Sequence, residues 1–182
     1  MAVTITDLAL HHLSLLPCDY FPQRPGACRG CLYWENAEAA VHGLTAESST
    51  ERRAWYEQVL KEFGCCGKLA FAGDELIGWA RYAPALYFEN AFSAHLYPVT
   101  PYPDIPFLAC LAVAPAHRRQ GVGTALLEAV MAELKQRRFT GLETIVRRDT
   151  AEHPSGPLEF YLRHGFFIRR DDPEFPLVRR EF

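Results

Sequence analysis

The chain has 182 residues, with 49% hydrophobic and 23% charged side chains, and its formal net charge is −3 at pH 7. That length and apolar content suit one ordinary domain with a packed core. An isoelectric point near 6.2 excludes the strongly basic surface that nucleic acids require, and no apolar run is long enough to span a membrane.

The N-terminal part of the chain carries no clear element. The apolar stretch from Leu8 to Leu16 lacks a preceding basic region, so we expect no secretory signal and predict a cytoplasmic location. Three prolines interrupt regular structure between residues 17 and 25. We therefore predict that residues 1–26 form an extension packed on a domain of residues 27–182, with a first strand at Ala27 to Trp34.

A helix and a hairpin are predicted next. Ser48-x-x-Glu51 is a capping box, and apolar residues recur after it at helical spacing as far as Gly64. Gly73-Asp74 then separates two apolar runs, Lys68 to Ala72 and Glu75 to Tyr82, which is the pattern of a β-hairpin. Helices and strands that alternate in this way indicate an α/β or α+β fold.

A long stretch rich in proline and aromatic residues follows, from Pro84 to Pro106. Its prolines exclude a central strand over much of its length, and its aromatic content argues against disorder. Two interpretations stay open. The stretch forms a wall of a ligand pocket, with Tyr97 and Tyr102 as the residues to test, or it is a stiff flap that covers the core.

The segment most informative about function joins an apolar strand, Phe107 to Val113, to a helix. It reads Arg118-Arg119-Gln120-Gly121-Val122-Gly123-Thr124 and contains no acidic residue. Free N–H groups and the positive end of the helix dipole favour an anion there, and glycines allow a diphosphate to approach closely. A Walker-type loop would need Gly-Lys-Ser/Thr, and a dinucleotide-binding fingerprint would need a third glycine where Leu126 stands.

The spacing that remains is Arg-x-x-Gly-x-Gly, at Arg118, Gly121 and Gly123. It resembles the signature loop of the GNAT superfamily of N-acetyltransferases. An apolar stripe at helical spacing follows the loop, from Val122 to Leu134, and Gly141 suits the stop of that helix.

A later segment is similar to the same superfamily. Tyr161 lies in a short helical stretch that ends at Gly165-Phe166, like the last helix and strand of GNAT proteins. Two motifs in this order are more specific than either alone. The resemblance implies a GNAT-like acyl-CoA N-acyltransferase fold of the α/β (α+β) class, with a mixed, mostly antiparallel sheet flanked by helices.

The resemblance also implies the donor and where it binds. Acetyl-coenzyme A would be the co-substrate, with its diphosphate on the loop and its pantetheine arm paired with the strand backbone as an added strand. Arg118 would add charge or fix the loop. The coenzyme-binding residues implied are Leu111, Ala112, Val113, Arg118, Arg119, Gln120, Gly121, Val122, Gly123 and Thr124.

Catalytic residues are implied less completely. By the resemblance, Tyr161 is the acid that protonates the departing coenzyme A thiolate. The amine acceptor must lose a proton, but the strand Phe107 to Val113 holds no acid. The nearest polar candidates for the base are Glu89, His95 and Asp104, and we assign His95. A water-mediated route, or an acceptor of low pKa that needs no base, stays open.

Cysteine spacing offers a different interpretation. Cys28-Arg-Gly-Cys31 has the spacing of half a zinc site or of a redox pair, and Cys65-Cys66 would supply further ligands. A second Cys-x-x-Cys is missing, so we expect free thiols and no metal. Together with Gly78-Trp79 and Gly156-Pro157-Leu158, the predicted Cys-x-x-Cys strand is similar to a bacterial branch of the GNAT superfamily.

The expected reaction is direct transfer of acetyl from acetyl-coenzyme A to an amine in a ternary complex. The acceptor would be a small-molecule amine or a peptide amine; nucleic acid and membrane are not expected partners, and a homodimer stays open. Two other classes of function remain: an acyl-coenzyme A sensor without turnover, and a metal or redox module built on the cysteines.

Overall fold

The computed structural model describes residues 2–16, 31–36, 48–148 and 153–182. Within them lie three α-helices and seven strands. The helices are α1 (Ser48–Glu62), α2 (Val122–Gln136) and α3 (Leu158–Arg163). The strands are β1 (Thr4–Asp7), β2 (Gly67–Ala72), β3 (Glu75–Pro84), β4 (Pro106–Val113), β5 (Gly141–Ile145), β6 (Phe167–Arg170) and β7 (Leu177–Glu181).

The strands form one sheet in the order β1-β2-β3-β4-β5-β7-β6. All neighbours are antiparallel except β4 and β5, which run parallel. The predicted mixed, mostly antiparallel sheet with flanking helices is therefore confirmed. No helix in the described part of the chain is both long and apolar enough to cross a bilayer.

Each face of the sheet buries its own apolar layer. On one face, α2 and α3 pack through residues such as Leu126, Val130 and Tyr161. On the other, α1 and the segment 85–99 pack over β3 and β4. The 85–99 segment buries Phe88 and Tyr97 in this second layer, so that part of the proline-rich stretch covers the core.

The predicted hairpin and helices are confirmed. β2 and β3 pair from Ala72 and Glu75 onward, and Gly73 takes a φ of 61° in the turn between them. Helix α1 ends just before Gly64, whose φ is 91°. Such angles favour glycine, because a Cβ atom clashes in the left-handed region.

The first strand differs from the prediction. Residues 32–36 form a turn, in which the N–H groups of Glu35 and Asn36 both donate to the Leu32 carbonyl; residues 27–30 lie outside the described part. Trp34 packs in the core against Phe107, and in sequence an apolar segment that is buried without strand pairing looks the same as a strand. The first strand is instead β1, which pairs with β2 along the sheet edge.

Gly141 also has another role than predicted. Helix α2 ends at Gln136, and Arg138 takes a φ of 64° after it. Gly141 is the first residue of β5, where it faces Glu181 of β7. A Cβ atom on Gly141 would lie 2.7 Å from the Arg180 carbonyl oxygen, so the glycine allows β5 and β7 to approach.

We predict that Gly141→Ala destabilises the protein. The added methyl group would push β5 away from the Arg180 backbone, and overpacking of this kind costs about 1–3 kcal/mol. Gly123→Ala is the matched control, because its Cβ would make ordinary contacts of 3.7 Å with Phe160. Urea unfolding measures both variants. A Gly141→Ala protein as stable as the wild type would contradict the close approach.

Candidate functional site

The loop before α2 presents its backbone outward. Arg119 and Gly121 take φ values of 62° and 85°, and Gly121 is the N-cap of α2. No side chain caps this helix, and its first turn holds no acid. The N–H groups at a helix start that no side chain caps suit an anion. The anion site at this loop stays a prediction.

Two side chains hold the loop to its surroundings. The Arg118 Nε donates to the carbonyl of Val113 over 3.2 Å, and the Gln120 side chain donates to Ala116 over 2.9 Å. Arg118 is itself exposed. The Arg118 side chain thus contacts the end of β4, and both roles considered for it, adding charge and fixing the loop, stay predictions.

Strands β4 and β5 diverge close to where they begin to pair. Between the pairs Arg81↔Cys110 and Tyr82↔Leu108, β4 carries one extra residue, Ala109, which makes a β-bulge. The only register pair between β4 and β5 in the described chain is Phe107↔Glu143. Beyond it the two strands separate and leave a gap.

Residues 153–157 lie in this gap. The N–H of Leu111 donates to the Pro154 carbonyl over 2.9 Å, and Arg147 bridges to Pro157. Because N–H groups two residues apart on a strand point the same way, the N–H of Val113 faces the same side as that of Leu111. Of the backbone predicted to pair with pantetheine, Leu111 and Val113 thus face the gap, and Leu111 is already bonded to Pro154. The backbone of Ala112 between them faces β3.

Tyr161 points into the same region from α3. It is fully buried, and its hydroxyl donates to the Ser155 carbonyl over 2.5 Å. Burial raises the pKa of the Tyr161 hydroxyl, and the Cys110 thiol acts in the same direction. The hydroxyl therefore keeps its proton across the neutral range, as a proton donor must.

Helix α3 also contacts the loop. The His164 Nδ1 donates to the Phe160 carbonyl over 2.7 Å, so its Nε2 accepts from the Thr124 hydroxyl over 3.0 Å. The predicted anion loop and the predicted tyrosine segment are thus brought together. His164 lies one residue before Gly165 in the tyrosine segment, but its sequence position alone gives no sign of the contact with Thr124.

The base candidate His95 makes no described contact with the 118–124 loop, β4 or Tyr161. It is exposed in the turn of residues 93–97, and within the described chain it makes no hydrogen bond, ion pair or ring contact. Its role stays a prediction.

A buried hydrogen-bonded chain lies beside the gap, and sequence analysis did not find it. The Tyr33 and Tyr97 hydroxyls are 2.5 Å apart, and the Tyr97 hydroxyl is 3.0 Å from the Nε2 of His153. The Nδ1 of His153 is 2.8 Å from the Ser155 hydroxyl, which donates to the Ile145 carbonyl. Tyr33 and Tyr97 are 64 residues apart in sequence, and Tyr97 and His153 are 56 apart. A motif search over neighbouring residues therefore cannot detect this chain.

A buried charge cluster lies on the same face as this chain. Arg81 forms an ion pair of 2.5 Å with Glu35 and donates to the Cys110 sulfur over 3.6 Å. Arg52 is buried nearby over the Trp79 ring. Burial raises the pKa of the Glu35 carboxyl against the opposing effect of the two arginines. Burial also raises the pKa of the Cys110 thiol to about 11, so this thiol is a poor nucleophile.

The described cysteines make ordinary contacts. The Cys31 sulfur accepts from the Tyr33 N–H over 3.4 Å, and Cys28 lies outside the described residues. Cys65, Asp7 and Glu133 approach within 4.8 Å of one another, a spacing that a metal ion would suit. The Lys68 ammonium, however, already pairs with both carboxylates.

A cavity of about 350 Å³ lies at the start of β4, next to Pro106. The 118–124 loop follows the other end of that strand, so the cavity is separate from the site. Tyr102, one of the two residues tested by the pocket-wall interpretation, borders this cavity, whereas Tyr97 is in the core. The cavity is lined by Tyr102, Pro103, Asp104, Ile105, Arg169, Arg179 and Glu181.

Comparison with known proteins adds independent findings. The sequence profile described as the acetyltransferase (GNAT) family matches residues 29–166. A search of curated proteins finds no match.

Several solved structures share the fold at low identity. A PaiA N-acetyltransferase from Thermoplasma acidophilum in complex with coenzyme A is 17% identical, with a TM-score of 0.64 over 100% of both chains. The ribosomal-protein-S18-alanine N-acetyltransferase from Escherichia coli is 17% identical, with a TM-score of 0.58 over 99% of this chain and 94% of that one. A mosquito arylalkylamine N-acetyltransferase-like protein is 13% identical, with a TM-score of 0.61 over 100% of both chains.

We predict that Glu35→Gln is strongly destabilising. It would remove the carboxylate that pairs with the buried Arg81 guanidinium, and breaking a buried ion pair by removing one partner costs about 3–5 kcal/mol. Glu57→Gln is the control, because Glu57 pairs with Arg53 on the exposed face of α1 and such pairs contribute less than about 1 kcal/mol. Equal unfolding free energies for the two variants would show that Glu35 does not balance the arginines.

Proposed function

Because the chain belongs to the acetyltransferase (GNAT) family, we propose that it transfers acetyl from acetyl-coenzyme A to a primary amine. One observation carries the proposal: the uncapped loop of residues 118–124, the bulged strand β4 and the Tyr161 segment adjoin one another at a single gap in the sheet. This arrangement supports a donor bound at the loop, with its reactive end directed toward the gap.

The donor would be bound mainly by backbone. The N–H groups of residues 119–124 would hold the diphosphate, in a loop that Arg118 fixes to Val113. The pantetheine arm would pair with the backbone from Leu111 to Val113, beginning at the Val113 N–H, which faces the gap. Pairing at Leu111 would require its N–H to leave the Pro154 carbonyl. Binding energy from these remote contacts would position the thioester for attack.

The chemical step would be direct. The amine nitrogen attacks the thioester carbon, the carbon–sulfur bond breaks with its electron pair going to sulfur, and Tyr161 supplies the proton that converts the thiolate to a thiol. No acetyl-enzyme is needed. The raised pKa of Cys110, about 11, supports this route, because a protonated thiol in the sheet does not attack readily.

The acceptor would be a small-molecule amine or a peptide amine, and the protein would act in the cytoplasm. The names of two solved relatives, an S18-alanine N-acetyltransferase and an arylalkylamine N-acetyltransferase-like protein, support one class each. The base predicted from sequence is His95, which is exposed and accessible to an amine. Thiol release with a panel of amines separates an enzyme from an acyl-coenzyme A sensor.

We predict that Gly121→Ala weakens acetyl-coenzyme A binding by about tenfold. An alanine at a φ of 85° costs about 1–2 kcal/mol, and relaxation would turn the loop N–H groups away. Gly73→Ala is the matched control, since Gly73 has a φ of 61° and equally open surroundings but lies in the β2–β3 turn. Isothermal titration measures both. If wild-type protein does not bind acetyl-coenzyme A, both the acetyltransferase proposal and the sensor alternative are wrong.

We predict that Tyr161→Phe lowers kcat by roughly a hundredfold at saturating acetyl-coenzyme A, the usual size of acid catalysis, with little change in coenzyme affinity. Tyr82→Phe is the control. Tyr82 is another buried tyrosine of the same core layer, and its hydroxyl donates to Glu133. Full turnover by Tyr161→Phe would remove the acid role.

A further inference from the structure

The donors and acceptors of the buried chain can be assigned one by one. The Ser155 hydroxyl has one hydrogen, which it donates to the Ile145 carbonyl, so it accepts from the Nδ1 of His153. A neutral imidazole protonated at Nδ1 has a free electron pair at Nε2, and Tyr97 donates to it. The Tyr97 oxygen then accepts from Tyr33. Both tyrosine hydroxyls therefore point their hydrogens toward the Nε2 of His153.

This chain lies where a base is needed. Trp34 stacks on Tyr97 with ring centres 5.3 Å apart and meets Phe107 at 5.1 Å, two residues before the bulge. The segment that carries His153 occupies the gap, because its neighbour Pro154 accepts the N–H of Leu111. The Ser155 carbonyl in the same segment accepts the Tyr161 hydroxyl. Residues 153–155 therefore contact both the hydrogen-bonded chain and the proposed acid, Tyr161.

We propose that His153 is the proton acceptor for the amine substrate and that Tyr97 and Tyr33 relay the proton to it. The proposal rests on the acetyl-transfer function proposed above. Tyr33 is half-buried, whereas Tyr97 and His153 are buried, so Tyr33 is the entrance of the relay. Ser155 acts as a positioning residue, because its hydroxyl fixes the imidazole tautomer that leaves Nε2 basic.

The proton balance of the step is complete. The substrate ammonium gives one proton to the Tyr33 oxygen as the Tyr33 hydrogen passes to Tyr97 and the Tyr97 hydrogen passes to the Nε2 of His153. The amine then attacks the thioester carbon and the carbon–sulfur bond breaks. Tyr161 gives its proton to the departing sulfur, and the second proton of the amine nitrogen restores the Tyr161 hydroxyl. His153 ends as an imidazolium and releases its proton to water before the next turnover.

Two amines that differ in basicity test the relay. An alkylamine is protonated at neutral pH and must lose a proton before attack, whereas an arylamine is already neutral. We expect Tyr97→Phe and His153→Gln to lower kcat for the alkylamine by roughly a hundredfold and to leave kcat for the arylamine within about threefold of wild type. Raising the assay pH should restore part of the alkylamine rate, since more of that amine is then neutral.

Three control variants sharpen the result. Tyr82→Phe removes a buried hydroxyl outside the chain, and it should slow neither amine. His95→Ala tests the base predicted from sequence: selective loss of alkylamine turnover in this variant, with normal turnover in His153→Gln, would overturn the proposal. Equal losses for both amines in Tyr97→Phe and in Tyr33→Phe would also overturn it, because that result indicates a structural role.

A second measurement does not depend on turnover. The ¹⁵N–¹H spectrum of the imidazole side chains should show His153 protonated at Nδ1 and free at Nε2, with the His153→Gln spectrum as the assignment. The opposite tautomer would overturn the relay even if acetyl transfer is observed. If acetyl-coenzyme A fails to bind while the tautomer is as expected, the proposed function fails and the hydrogen-bonded chain stands.

Discussion

The divergence of β4 from β5 is the constraint on which the site depends. A bulge at Ala109 adds one residue to β4, and pairing with β5 cannot continue in register beyond it. Backbone groups left without a ladder partner must find another, because buried N–H groups are costly to leave unpaired. The Leu111 N–H finds it in Pro154. That hydrogen bond and the backbone contacts of Arg147 with Gly156 and Pro157 hold residues 153–157 at the sheet.

Several other contacts follow from the position of this segment. Its Ser155 carbonyl accepts the Tyr161 hydroxyl, which fixes α3 against the sheet. Helix α3 in turn reaches the start of α2 through His164 and Thr124. The loop that resembles a phosphate site, the buried tyrosine and the histidine chain are therefore parts of one connected structure, although they are distant in sequence.

Local signals predicted the parts of this fold that short-range physics determines. The β2–β3 turn needs a left-handed residue and has Gly73, and α2 follows a loop with Gly121 at its N-cap. The loop of residues 118–124 was predicted for the same reason. These features depend on neighbours within a few residues, and such neighbours are visible in sequence.

Features that depend on distant partners were missed or misread. The sequence predicts a strand at Trp34, because a buried aromatic residue in a turn cannot be told by its residue type from one in a strand. β1 is four residues long, too short for a clear alternating pattern. The sequence predicts a helix stop at Gly141. The structure instead requires a glycine there because the Arg180 backbone of the neighbouring strand lies too close for a side chain. His153 and Glu35 gave no signal, because Tyr97 and Arg81, which define their roles, come from other elements.

The bond between Leu111 and Pro154 has a thermodynamic consequence. If the arm of a coenzyme takes the Leu111 N–H, it competes with the protein's own backbone for one donor. Coenzyme binding and closure of the gap are then linked equilibria, and each opposes the other by the same free energy. A substitution that loosens residues 153–157 in the free protein would raise apparent coenzyme affinity, while it disturbs the chain that ends at His153. If both proposals hold, a change in residues 153–157 that strengthens coenzyme binding would weaken proton transfer to His153.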